Sequence, residues 1–174
     1  MAKIILNTQR LTLREAESSD NQFFYGLLNS PKWIKYIGDR NIKTLKNAED
    51  YINDKLINSY KTNSFGLYVY ELKESHLPIG ICGFIKRDYL DSVDIGFALL
   101  PGHERKGYTF EISTAVLTYG KQTLGINKVV AITTKDNIAS QELLKKLGFS
   151  FQLYVNEPET NEELVLYLFE VKDR

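Results

Sequence analysis

A chain of 174 residues, 43% apolar and 25% charged, has the size and composition of one globular domain. That excludes a fibrous or largely disordered protein and leaves no room for a second full domain. Its 22 basic and 22 acidic side chains cancel, so no global field draws it to nucleic acid or anionic lipid, and any polyanion has to be bound locally.

The amino terminus, MAKIILNTQRLTLREA, meets charges before a signal-peptide core can form, and no segment has the apolar length of a membrane span. A cytoplasmic location is expected, with neither membrane nor nucleic acid as partner. The single cysteine, Cys82, excludes an internal disulfide, and the histidines His76 and His103 lack metal-ligand spacing, so no metal is expected.

TQRLTLREA alternates apolar and polar residues around Leu11 and Leu13 and predicts the first strand. Ser19 and Gln22 have capping-box spacing, and Phe23, Phe24, Leu27 and Leu28 fall on one stripe, predicting a short helix that stops near Ser30-Pro31. KWIKYIGDRNIK shows no clean period and reads as a binding loop. Thr44 then caps a helix carrying Ala48, Tyr51, Ile52 and Leu56 at helical spacing. Three β-rich segments, 65–73, 79–88 and 92–100, are joined by short turns and predict an antiparallel meander.

ERKGY opens the next helix, with Ile112, Ala115, Val116 and Tyr119 on one face and an end near Gly125; the strand INKVVAITT follows. Asn137 caps a helix over 138–147, where Lys145 and Lys146 suit the negative end and Gly148 suits an αL stop. FSFQLYV and ELVLYLFEV form two last strands around Glu157-Pro158.

Two places carry chemistry. The helix that begins at PGHERKGYTFE leaves backbone N–H groups without partners in its first turn. Gly107 lets a phosphate approach the backbone, and Arg105 and Lys106 add charge to the helix dipole, which together make a pyrophosphate cradle. On residues alone, a solvated helix start accounts for the same pattern equally well. In the preceding strand, alternation puts Asp94, Gly96 and Ala98 on one face, a carboxylate followed by two small side chains that leave room for a ligand. A partly solvated sheet face with a stray acid is the plain alternative.

The order DIGFALLP, ERKGY, KVVAITT, NIASQELLKKLGF resembles the GNAT acyl-CoA acyltransferases. More narrowly it is similar to the ribosomal-protein N-terminal alanine acetyltransferases (RimJ/RimL-like), whose pattern runs E-I-G-Y, G-K-G-Y-A-T-E and N-x-A-S-x-x-L-L-x-K-L-G-F. The likeness spans residues 8 to 170 in element order and is most specific between Asp94 and Phe149. Arg105 stands where the family has the first glycine of its phosphate loop, and Asp94 where it has glutamate.

The resemblance implies one domain over 1–174 of mixed α/β fold. Its sheet has about seven strands, mostly antiparallel, with the fourth and fifth strands parallel, and four main helices. It implies an enzyme that moves acetyl from acetyl-CoA, with no metal, to a primary amine. The first choice of acceptor is a protein or peptide α-amine; a polyamine or aminoglycoside acetyltransferase and a non-catalytic CoA-binding regulatory module stay open, as does a homodimer.

It further implies that the pantetheine arm pairs with the backbone of Phe97, Ala98 and Leu99, with an N–H near Leu99 polarising the thioester. The pyrophosphate would sit on His103, Glu104, Arg105, Lys106, Gly107, Tyr108 and Thr109. Asn137 would touch the pantetheine, and Ser140 the sulfur as candidate acid, with Tyr108, Tyr154 or Tyr167 as alternatives. Lys145 and Lys146 are candidates for the 3′-phosphate, and Trp33 and Tyr36 for the acceptor. Asp94 is the candidate base, and burial would have to raise its pKa for that work. Cys82 reads as a buried structural thiol.

Overall fold

The computed structural model describes residues 1–170; Val171, which ends the last predicted strand motif, lies outside them. Eight strands form one sheet in the order β1-β2-β3-β4-β5-β6-β8-β7. They are β1 (Ile4–Asn7), β2 (Leu11–Arg14), β3 (Leu67–Leu72), β4 (Pro78–Ile85), β5 (Val93–Leu99), β6 (Lys128–Thr134), β7 (Ser150–Asn156) and β8 (Glu163–Glu170). Every neighbouring pair is antiparallel except β5 and β6. The predicted meander and parallel pair are present. The additional strand is β1, an edge too short and too exposed to show an alternating pattern.

The helices are α1 (Asn21–Leu28), α2 (Pro31–Tyr36), α3 (Leu45–Tyr51), α4 (Asn58–Asn63), α5 (Tyr108–Leu124) and α6 (Ile138–Lys146). The segment expected to be an irregular loop contains α2, which Pro31 opens at its first position, where a missing N–H costs nothing. Thr44 caps α3 as predicted, its hydroxyl accepting from the Asn47 N–H at 3.1 Å, a contact worth about 1 kcal/mol. A wider π-turn, Ile52–Ile57, joins α3 to α4 and keeps Ile52 and Leu56 buried. Before α1 the reciprocal cap is made by Glu17 and Asp20 rather than Ser19 and Gln22: the Glu17 N–H donates to the Asp20 carboxylate at 2.8 Å.

Two cores cover the two faces of the sheet. On one, α5 through Ile112 and Val116 and α6 through Leu144 pack over Leu11, Tyr70, Phe84, Ile95 and Tyr167. On the other, α1 to α4 bury Phe24, Leu27, Trp33, Ile52, Val69 and Ile81. In α5 the buried stripe runs through Ile112, Val116, Leu117 and Gly120, turned slightly from the predicted face. Gly120 explains the turn, because a Cβ there would stand 2.6 Å from the Phe84 ring, so the helix seats its bare backbone on that ring. Arg14 locks β2 to β3 and to the turn before α1, donating to Asp20 at 2.8 Å and Glu71 at 2.9 Å in a largely buried triad.

Candidate active site

The parallel strands β5 and β6 pair only at Val93 with Val129 and at Asp94 with Val130. On its other side β5 stays paired with β4 along six residues, from Asp94 to Leu99. The sheet therefore splits into a wedge with its apex at Asp94. Leu100 donates its N–H to the Ile79 carbonyl at 2.8 Å, which sets the alternation of the β4–β5 ladder. By that alternation the backbone groups of Phe97 and Leu99 point away from β4, into the wedge. They are unsatisfied peptide groups of the kind an extended amide ligand can pair with.

A cleft of about 760 Å³ follows the wedge. Of the predicted cofactor residues, Phe97, Ala98, Leu99, His103, Glu104, Arg105, Gly107, Tyr108, Thr109, Asn137, Ser140 and Lys146 line it, together with Asp94, Trp33 and Tyr36. Two do not. Lys145 points away and pairs with Glu142 at 2.8 Å, because it sits on the outer face of α6. Lys106 is exposed, and it contributes its carbonyl to Arg10 at 2.8 Å rather than an ammonium to the cleft.

The mouth of the cleft is the start of α5. Gly107 is its N-cap with φ +79°, a left-handed conformation in which a side chain is strained. Arg105 has φ +60°, so the residue standing at the family's glycine position takes the glycine's conformation despite its Cβ. Arg105 holds this left-handed conformation at a cost in backbone strain of order 1–2 kcal/mol.

Arg10 braces this loop from β2's side. Its Nε donates to Glu111 at 2.7 Å, its Nη1 to the Lys106 carbonyl at 2.8 Å, and its guanidinium lies 4.6 Å from the Tyr108 ring centre. Glu111 also accepts from the Thr8 hydroxyl at 2.6 Å and the Arg10 N–H at 2.9 Å. From within the sheet, the Tyr70 hydroxyl lies 3.4 Å from both the Ala98 carbonyl and the Thr109 hydroxyl, linking β5 to the first turn of α5.

At the apex, Asp94 is 2% exposed. One carboxylate oxygen, Oδ2, accepts from Arg87 Nε at 2.8 Å; the other, Oδ1, is buried with no hydrogen-bond partner among the described residues. Burial raises its pKa from 3.8 to about 6, against the opposing pull of Arg87 and, more weakly, of the Ile132 backbone N–H, which stops short of hydrogen-bond geometry. A carboxylate so placed is largely ionised at neutral pH yet far more basic than a free aspartate. The indole Nε1 of Trp33 is likewise buried without a partner.

The Asn137 side chain accepts from the Ser140 N–H at 3.2 Å and so caps α6, which leaves its amide NH₂ for the cleft. Ser140 faces the cleft from the same turn. The alternatives Tyr154 and Tyr167 do not line it, and Tyr167 donates to Gln141 at 3.0 Å.

A model of the acetyltransferase (GNAT) domain matches residues 10–150. The chain belongs to the GNAT acetyltransferases. Among the relatives of this GNAT enzyme is the uncharacterized N-acetyltransferase p20 of Bacillus licheniformis, 31% identical over 148 residues that cover 83% of this chain and 81% of p20. Among solved structures, the ribosomal L7/L12 α-N-protein acetyltransferase RimL, in complex with coenzyme A, superposes with a TM-score of 0.84 at 16% identity, covering 97% of this chain and 98% of RimL. A chimera of the Vibrio cholerae spermidine N-acetyltransferase SpeG and human SSAT gives a TM-score of 0.76 at 19% identity, over 93% and 96% of the two chains. At these identities both structures speak for the fold alone.

The fold of this GNAT acetyltransferase uses acetyl-CoA, and its residues fit that molecule on the chain's own terms. The wedge offers unpaired peptide groups at Phe97 and Leu99, and the start of α5 offers N–H groups beside a glycine. Lys146, 4.2 Å from the Phe110 ring centre, adds a cation on the cleft wall. Cys82 is fully buried against Ser113 and its thiol is pushed up to about 12, which removes it as a nucleophile.

Sequence reasoning missed Arg10, Arg40, Tyr51 and Arg87. Arg40, Tyr51 and Arg87 line the cleft from loops or helices whose approach to β5 no local pattern encodes. A partial signal existed for Arg87: it lies seven residues before an acid that strand alternation turns inward.

Proposed function

We propose that this GNAT enzyme acetylates the N-terminal α-amine of a peptide or protein. The observation that carries the choice is the state of the cleft's acids. Asp94 is held by Arg87, and Glu104 by Lys32 at 2.5 Å, so the lining offers no free carboxylate cluster for a polyamine or an aminoglycoside.

Acetyl-CoA supplies an activated thioester; transfer forms a C–N bond, breaks the C–S bond and leaves the CoA thiol. The residues of the chain divide the remaining work. The carboxylate of Asp94 takes the ammonium proton through Oδ1, directly or by a bridging water, because its other oxygen is committed to Arg87. The Leu99 N–H is the donor for the negative charge that develops on the carbonyl oxygen. Ser140 is the candidate donor of a proton to the leaving sulfur. Gly107 and the following N–H groups of α5 hold the pyrophosphate, assisted by Arg105.

The test is a release assay for free thiol with acetyl-CoA, comparing short peptides with spermidine and an aminoglycoside. Turnover of peptides at least tenfold above the polycations is the expected result. A reversed order would replace the peptide reading with the polyamine one, and thermal stabilisation by CoA without any turnover would leave a regulatory module.

A further inference from the structure

At the acceptor end of the cleft, opposite the start of α5, stand two arginines. Arg87 comes from the loop after β4, and Arg40 from the loop between α2 and α3; both line the cleft, and the charges of both reach the Tyr51 hydroxyl on α3. The arginine–carboxylate pairs among the described residues belong to Arg10, Arg14 and Arg87, so Arg40 has no acidic partner. Arg87 commits only its Nε to Asp94, which leaves its two terminal nitrogens without carboxylate partners. A second acid whose field reaches Arg87, Glu157, has Oε2 occupied by the N–H groups of Glu159 and Thr160 and the Thr160 hydroxyl.

These cations are not spare parts of the phosphate site. Asp94 and Leu99 are five residues apart on an extended strand, which places the Arg87 end roughly 17 Å from the end of β5 that leads to α5. One pyrophosphate cannot occupy both. Asp136, just before α6, is engaged by the Thr134 hydroxyl at 2.7 Å and by Lys35 at 3.5 Å.

We propose that the acceptor carries an anionic group a few bonds from its amine, held by Arg40 and Arg87 while the amine faces the free oxygen of Asp94. For the α-amine acceptor argued above, on which this inference rests, the anion is an acidic side chain within the first few residues. A free amino acid presents the same chemistry through its own carboxylate. Guanidinium groups suit this task, because each can meet a carboxylate with two parallel N–H donors. Two cations beside a single buried acid also repel polycationic amines, so the same residues select and exclude.

The experiment compares hexapeptides with glutamate, alanine or lysine at positions two and three, free glutamate, and spermidine, on wild type and Arg40→Gln. Arg40 is exposed and unpaired, so its replacement leaves the fold intact, checked by an unchanged melting shift with CoA. The expected kcat/KM falls from the glutamate to the alanine to the lysine peptide, with roughly tenfold between the first two, the worth of one charged contact. Arg40→Gln closes that gap through KM, and so does raising the salt from 50 to 500 mM, each added as NaCl.

Peptides acetylated without regard to charge overturn this inference and leave the peptide reading standing. Silence on every peptide with turnover of free glutamate overturns the peptide reading and upholds the anionic acceptor. Spermidine or the lysine peptide as the best substrate overturns it, and so does silence on every acceptor while CoA still binds.

Discussion

Arg87 Nε reaches Asp94 Oδ2 at 2.8 Å while Oδ1 of the same carboxylate stays buried and unpartnered. Burial outweighs the ion pair, so the folded-state pKa of about 6 lies above the ordinary 3.8. A raised carboxylate pKa stabilises the fold below 3.8, where Asp94 is protonated in both states, and that contribution is lost as pH rises through about 6. Asp94→Asn lacks this titration. Its melting temperature relative to wild type is therefore expected to climb between pH 4 and pH 7.5, by the equivalent of about 3 kcal/mol. Paired thermal melts across that range check it, and a constant difference would mean that Asp94 is ionised throughout.

The Arg10–Glu111 pair yields a second expectation. Glu111 takes three donors at once, from Thr8, the Arg10 backbone and the Arg10 side chain, and these hold Arg10 where it props the Lys106 carbonyl. Glu111→Gln weakens that set without emptying the space. CoA affinity is expected to fall about tenfold, the cost of misplacing one or two phosphate donors, with kcat changed far less. Titration by calorimetry measures the affinity directly, and unaltered binding would show that the loop holds its shape unaided.

Gly107 defines a third. A valine here meets no steric wall, since the nearest atom to a new Cβ is Arg10 Nη2 at 3.4 Å, an ordinary contact distance, but φ +79° is closed to a β-branched residue. Gly107→Val is thus expected to lower stability by about 1–2 kcal/mol as well as CoA affinity, because the strain is relieved only by turning the first N–H groups of α5 away. Arg105→Gly is expected to act in the opposite direction on stability, since φ +60° suits glycine. Melting curves of the two variants with and without CoA separate the effects.

The chemistry of the cleft was more legible than its walls. Asp94, Gly96 and Ala98 could be put on one face from strand alternation, and the start of α5 from Gly107 and its basic neighbours, because both are local patterns. The capping role of Asn137 was equally local. Lys145 was assigned to the cleft and points outward, since neighbouring helix positions differ by about 100° of rotation, and which of Lys145 and Lys146 faces the cleft is set by how Leu144 packs in the core. α2 was invisible because six residues carry too little period to register, and only the packing of Trp33 against the neighbouring helices makes it fold. Arg87 and Arg40 gain their meaning because two loops far apart in sequence line one cleft, which is information held by the tertiary fold alone.

The most discriminating expectation concerns turnover by Asp94→Asn. Asparagine keeps the size of the side chain and can still accept from Arg87, so the wedge and CoA binding are retained while basicity is lost. At neutral pH kcat/KM is expected to fall roughly 10²- to 10⁴-fold, the usual worth of a general base. The pH profile carries the mechanism. Below about 6 wild-type Asp94 is itself protonated, so wild type loses activity there and approaches the variant. Above about 8 an α-amine acceptor becomes largely neutral and needs no base, so the curves converge again. The ratio of wild type to variant is therefore greatest between those limits, and the low-pH limb of the wild-type profile is missing from the variant. Steady-state kinetics from pH 5 to pH 9.5 test both features. Full kcat/KM in Asp94→Asn at pH 7 would reduce Asp94 to an anchor for Arg87, and an unchanged low-pH limb would assign the titration to another group.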